Sequence, residues 1–112
     1  MKTKLHPDFS CPKGLTKSGR AAYRVILALI RKHDLVYSGG CKVFYSPKEW
    51  RLRGEEYGTS SELIVVYDGG AHRELFEPEY SFSFTEELTA SLRKSGLWFE
   101  PCTCWYSAIY IQ

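Results

Sequence analysis

Four cysteines give this chain its clearest opportunity for metal or redox chemistry. Cys102 and Cys104 are two residues apart, so both thiols would point to one side of an extended segment. The other ligands of a tetrahedral zinc site would come from residues scattered singly along the chain: Cys11, Cys41, His6 or His72. The paired spacing of zinc modules and the Cys-x2-Cys of redox helices are missing from the sequence. We therefore expect buried, unreactive thiols, with no metal and no cofactor.

A carboxylate and an imidazole follow the most apolar run of the chain. Asp68-Gly69-Gly70-Ala71-His72 would place acid-base groups at the end of a strand, where α/β active sites gather. The ordinary interpretation of Asp followed by two glycines is a turn, with His72 exposed in a loop. No Gly-x-Ser-x-Gly, phosphate-binding glycine loop or His-Glu-x-x-His pattern occurs in the sequence. We therefore expect no catalytic residue and a protein that is not an enzyme.

Arginines and aromatic residues are concentrated between Tyr45 and Tyr57. Both residue types dominate the energetic centres of protein interfaces and also stack on nucleic-acid bases. The sequence thus predicts a partner-binding site with four members: Trp50, Arg51, Arg53 and Tyr57. In the alternative interpretation Trp50 packs into the core, while the two arginines pair with neighbouring glutamates, Glu55 and Glu56.

The net charge of +2 conceals an uneven distribution of charge along the chain. Residues 1–32 carry eight Lys or Arg against one acid, a net charge of +7, whereas residues 33–112 carry seven basic and twelve acidic residues, a net charge of −5. A basic face could bind a polyanion. The candidate nucleic-acid contacts are Lys13, Lys17, Arg20 and Arg24. Alternatively, these side chains are simply solvated over the acidic remainder of the chain.

Helix signals surround the first part of the candidate site. Ser18 is the predicted N-cap of a first helix, whose apolar residues recur at helical spacing from Ala22 to Ile30. A short strand is predicted over residues 41–45. Ser46-Pro47-Lys48-Glu49 then forms a capping box with proline at the first helical position, so a short helix should run from Pro47 to about Arg53 and end at Gly54.

The second half of the chain predicts three strands and one helix. Glu62 to Tyr67 is apolar without alternation, which is typical of a central strand. Ser83 is the predicted N-cap of a helix ending at Gly96, after an irregular stretch from residue 71 to residue 82. Strands are then expected over residues 97–100 and about 104–111, as a hairpin or a bent pair.

These elements predict an α+β fold in the order α-β-α-β-α-β-β. A mostly antiparallel sheet of three or four strands should carry the two longer helices on one face. Residues 1–15 are expected to be an irregular lead-in, and residues 16–112 a single domain. The sequence shows no secretory signal and no run of apolar residues long enough for a membrane span, so we expect a cytoplasmic protein without membrane contact.

Three segments resemble small uncharacterised proteins of bacteriophages and integrative mobile elements. They are residues 43–50 (VFYSPKEW), 61–70 (SELIVVYDGG) and 102–110 (CTCWYSAIY). The resemblance implies a small accessory protein in a bacterial cytoplasm and carries no known activity. Its implied action is binding to a host protein, including inhibition of a host defence complex. A nucleic-acid-binding accessory protein that uses the basic N-terminal third is the alternative.

Overall fold

The computed structural model describes residues 5–112 and has three α-helices and four strands in that range. In chain order they are α1 Lys17–Lys32, β1 Phe44–Tyr45, α2 Pro47–Leu52, β2 Leu63–Val66, α3 Phe82–Lys94, β3 Leu97–Pro101 and β4 Tyr106–Ile111. Two 3-10 turns, Pro7–Phe9 and Ala71–Leu75, complete the described structure. The second of these turns lies within a stretch that the sequence predicts to be irregular.

The four strands form one antiparallel sheet in the order β1-β2-β4-β3. The apolar strand β2 lies between β1 and β4, with Ile64 opposite Ala108 and Val65 opposite Ser107. All four residues of β2 are buried, because helices or loops cover the sheet on both sides. The predicted α+β fold, its central strand and the hairpin at the end of the chain are confirmed.

The two faces of the sheet are covered differently. On one face, α1 and α3 bury the larger core, in which Ile26 and Leu88 pack with Val65 and Ile109. On the other face, Trp50 of α2 packs on a smaller set of side chains: Ile64, Val66, Tyr106 and Ala108. The two long helices therefore share a face, as predicted, and α2 lies on the opposite one.

Helix starts agree with prediction at α2 and differ at α1 and α3. The Ser46 and Glu49 capping box is present at α2. Thr16 caps α1 in place of Ser18, and Ser81 caps α3 in place of Ser83; the hydroxyl of each accepts a hydrogen bond from the backbone three residues later. Both predicted caps were wrong because a serine or threonine two residues earlier is already extended and satisfies the first free amides.

The N-terminal segment packs against the domain. Phe9 and Leu15 belong to the larger core, and the Val43 amide donates to the Asp8 carbonyl at 2.9 Å. The first four residues of the predicted lead-in, with Lys2 and Lys4, lie outside the described residues. None of the α-helices within residues 5–112 combines the length and apolar content that a transmembrane span requires.

Candidate functional site

The loop after α2 is fixed to the sheet by buried aromatic side chains. Trp50 Nε1 and the Tyr106 hydroxyl each donate to the Tyr57 carbonyl at 3.1 Å. The next residue, Gly58, has a φ of +83°, and a Cβ there would lie 2.7 Å from Ile64 Cδ1. Only glycine fits this contact without strain, and it lets the loop lie directly on the sheet. The Tyr57 ring is thereby held at the surface.

Two arginines attach the same loop to α2. Arg53 lies over the Trp50 ring at 4.7 Å, donates to the Tyr45 hydroxyl at 3.2 Å and pairs with Glu55 at 3.3 Å. Arg51 donates to the Thr59 carbonyl at 2.6 Å. Both guanidinium groups are thereby oriented before any partner arrives, which lowers the conformational entropy that binding would cost.

The exposed residues of this region form what we call the α2 surface: Arg51, Leu52, Arg53 and Tyr57. Leu52 is 79% exposed and Tyr57 is 52% exposed, which is unusual for large apolar and aromatic side chains. Trp50 has no exposed area, so its predicted role as a direct contact is wrong, and it supports Arg53 from below. The burial of Trp50 and the pairing of Arg53 with Glu55 both match the alternative interpretation of the sequence, whereas Arg51 bonds to the Thr59 carbonyl rather than to a glutamate.

The four predicted nucleic-acid contacts are all exposed. Arg20 donates to the Leu15 carbonyl at 2.7 Å. The other three, Lys13, Lys17 and Arg24, form no ion pair or hydrogen bond with any residue from 5 to 112. The acidic remainder of the described chain therefore leaves these cations uncompensated at close range.

A hollow of about 490 Å³ separates the N-terminal segment from α2. Lys13, Lys42 and Lys48 line it together with Glu49 and Leu52. Burial would raise the pKa of the Glu49 carboxyl, but hydrogen bonds from Lys42, at 2.6 Å, and from the Ser46 amide outweigh burial and lower that pKa. Glu49 is thus ionised and already paired.

His72 and Asp68 do not form an acid-base pair in the structure. Asp68 is exposed, whereas His72 has no exposed area, so the expectation of an exposed loop histidine is wrong. His72 Nε2 lies 2.7 Å from the Val66 carbonyl. Burial lowers the pKa of the imidazole, although the nearby Tyr37 carbonyl acts to raise it. That carbonyl accepts a hydrogen bond from the Ala71 amide, and Nδ1 of His72 has no hydrogen-bond partner among residues 5–112. The histidine is packed within the core, out of reach of a substrate.

The cysteines are less buried than predicted. Cys11, Cys41 and Cys104 are exposed, and Cys102 is half-buried. Cys102 and Cys104 lie in the turn between β3 and β4, so the extended segment that would align their thiols is not formed. Burial raises the pKa of the Cys102 thiol to about 11. Within residues 5–112, no three His, Cys, Asp or Glu side chains gather as metal ligands.

Lys42, Lys48 and Leu52 are site residues that sequence reasoning missed. Lys48 and Leu52 are four residues apart on a predicted helix, so their common side is visible in the sequence. The sequence does not predict that Lys13 and Lys42 lie beside this side of α2, because the hollow is formed by three segments that are separate in the chain.

Comparisons with known proteins found no family model, no curated protein and no solved structure that matches this chain.

Proposed function

We propose that this chain is a small non-enzymatic binding protein whose α2 surface contacts a partner protein. The exposure of Leu52 and Tyr57 beside an oriented Arg53 carries the proposal. Tyrosine and arginine are enriched among the residues that dominate interface energies, and an exposed leucine adds apolar area that only a partner would bury.

The electrostatics of the α2 surface favour an acidic patch on the partner. Arg51 and Arg53 are exposed, and Arg51 makes its hydrogen bond to a neutral carbonyl, Thr59, so its charge has no close carboxylate. A partner carboxylate could form a bidentate pair with such a guanidinium. By the resemblance to phage and mobile-element proteins, the partner would be a bacterial host protein.

Affinity capture from nuclease-treated bacterial lysate tests the proposal. The wild-type chain should enrich one protein at stoichiometric yield, and purified partner should then bind in calorimetry. The Arg53→Ala and Tyr57→Ala double variant should weaken that binding by about 2 kcal/mol or more, as loss of two interface anchors does. Trp50 is left unchanged because truncating a buried tryptophan costs about 3–5 kcal/mol of stability.

A matched control removes one aromatic residue and one arginine from α3, on the opposite face of the sheet. Phe82 is 66% exposed and Arg93 is exposed, so Phe82→Ala with Arg93→Ala should leave partner affinity unchanged. Equal losses from both double variants, or no stoichiometric protein after nuclease treatment, would contradict the proposal.

A further inference from the structure

Lysines from three separate parts of the chain meet at the hollow beside α2. Lys13 comes from the N-terminal segment, Lys42 from the residues before β1 and Lys48 from the first turn of α2. The one acid that lines the hollow, Glu49, is paired with Lys42. Lys13 and Lys48 therefore have no counter-charge among the residues that line the hollow.

A row of cations on α1 continues this charge. Lys17, Arg20 and Arg24 are spaced three and four residues apart, so they share one side of the helix over about 10 Å. This row lies beside the N-terminal segment that supplies Lys13, because the Arg20 guanidinium donates to the Leu15 carbonyl at 2.7 Å. Burial raises the pKa of the Cys11 thiol and outweighs the charges of Arg20 and Arg24, which act to lower that pKa.

We name these six residues the cationic surface: Lys13, Lys17, Arg20, Arg24, Lys42 and Lys48. We propose that the cationic surface binds the phosphate backbone of a nucleic-acid duplex, independently of base sequence. Five of these residues are exposed and have no carboxylate partner within residues 5–112, whereas Lys42 is half-buried and paired with Glu49. Exposed cations without close carboxylates are the arrangement that phosphate contacts require. This binding goes beyond the proposed protein interface, which the cationic surface meets at Leu52.

The aromatic residues nearby favour a duplex over a single strand. Single-strand binders stack bases on exposed rings. Tyr23 is the aromatic residue of α1, and it is half-buried, with its hydroxyl donating to the Phe9 carbonyl and its ring against Phe44 at 4.8 Å. Tyr45, the ring in contact with Lys42, is also half-buried, and both Lys42 and Arg53 lie over it. Neither ring is exposed enough to serve as a stacking platform.

The scarcity of exposed apolar area favours nucleic acid over an acidic protein. Among the residues lining the hollow, Leu52 is the large apolar side chain that is exposed. Protein interfaces have an apolar or aromatic centre, whereas contacts to phosphates need charge alone.

Fluorescence anisotropy with the full chain and a labelled mixed-sequence DNA duplex of about 20 base pairs tests the proposal, with salt varied from about 50 to 200 mM. Four cations of this surface form no ion pair or hydrogen bond within residues 5–112: Lys13, Lys17, Arg24 and Lys48. If each contacts one phosphate, at about 0.9 each, the slope of log affinity against log salt should be about −3 to −4. Lys17→Gln with Arg24→Gln should make the slope about 2 units shallower and weaken binding about tenfold or more at low salt.

The control variant, Arg93→Gln with Lys94→Gln, removes two exposed charges from the last turn of α3. It should leave affinity and slope near wild type, and circular-dichroism melts should show that both variants fold. Three outcomes would overturn the proposal: no duplex binding at low salt, equal losses from both variants, or tighter binding to poly-glutamate than to the duplex. The last result would identify an acidic protein surface as the ligand.

These outcomes do not depend on the α2 surface. Arg53→Ala with Tyr57→Ala leaves the cationic surface intact and should not change duplex affinity. Loss of duplex binding in that variant would place the nucleic acid on the α2 surface and overturn the proposal.

Discussion

At the scale of single residues, the imidazole of His72 is enclosed by the turn that follows β2. A Cβ at Gly70 would lie 2.4 Å from its Cε1, and the Phe9 ring contacts it edge-on at 5.8 Å. Because Nε2 faces the Val66 carbonyl, the neutral ring carries its proton there, and Nδ1 is buried without a hydrogen-bond partner among residues 5–112. A second proton would create a buried charge, so burial lowers the pKa of His72 although the hydrogen bond to Val66 opposes this.

The lowered pKa of His72 predicts sensitivity to mild acid. In the unfolded chain His72 takes up this proton near the ordinary histidine pKa of about 6.5. In the folded chain the pKa is lower, so the proton binds only at lower pH. The neutral His72 therefore contributes its full stabilisation above about pH 6.5, and the free energy of unfolding decreases as the pH falls below that value. Urea denaturation between about pH 7.5 and pH 5 measures this decline.

Substitution separates His72 from the other titrating groups. His72→Gln removes the proton uptake and should flatten the decline between about pH 6.5 and pH 5, while costing about 1–3 kcal/mol at pH 7 through imperfect bonding to the Val66 carbonyl. His33→Gln is the control for loss of a histidine, because His33 pairs with Glu87 near the end of α1, where Glu87 also pairs with Lys32. An unchanged pH dependence in His72→Gln would contradict the assignment.

At the scale of elements, predictions of element type from neighbours in sequence succeed, although the N-caps of α1 and α3 each lie two residues before the predicted serine. The Ser46 to Glu49 capping box brings its own donors and acceptors, so its geometry is encoded within four residues. Gly54 and Gly96 end α2 and α3 with φ values of +81° and +72°, the left-handed conformation that glycine adopts without strain. Element types are predictable here because each signal is satisfied locally.

Predictions of how exposed a single side chain is fail where its surroundings come from segments distant in sequence. Trp50 lies on α2 as expected, but its burial depends on Tyr106 and on the Tyr57 carbonyl, which come from β4 and a loop. A tryptophan beside arginines has the same pattern whether it points to solvent or to a sheet. His72 is similar, because its enclosure requires the turn at Gly70 and Phe9 from the N-terminal segment.

The central position of β2 predicts a severe effect of charge at its middle. Val65 is fully buried between strands β1 and β4 and under α1 and α3. Val65→Asp would bury a carboxylate without a partner and should lower the free energy of unfolding by about 4 kcal/mol or more. Thermal melting should show no cooperative transition. Ile111→Asp is the matched control, since Ile111 is 57% exposed at the end of β4 and should retain a cooperative melt.

At the scale of the whole molecule, the fold determines which cations of the basic N-terminal third remain without acidic partners. Lys32 and His33 at the end of α1 pair with Glu87 of α3, so that end of the basic third is neutralised. Lys13, Lys17 and Arg24 at the other end have no acidic partner within residues 5–112, and Lys48, from later in the chain, lies beside Lys13 together with Lys42, which is paired with Glu49. The position of the candidate cationic surface is a property of the tertiary structure, which explains why the sequence gives only part of it.

The N-terminal segment, which supplies Lys13, is also part of the domain core. Phe9 is 1% exposed, and its carbonyl accepts from the Tyr23 hydroxyl at 2.7 Å, so the segment is fixed to α1. Phe9→Ala should lower the free energy of unfolding by about 3–5 kcal/mol, because it leaves a cavity beside His72 and Leu75. His6→Ala, at an exposed position, is the control in the same urea titration and should cost less than about 1 kcal/mol. If Phe9→Ala proved as stable as wild type, the segment would be an appendage of the domain, and Lys13 would have no fixed position beside α2.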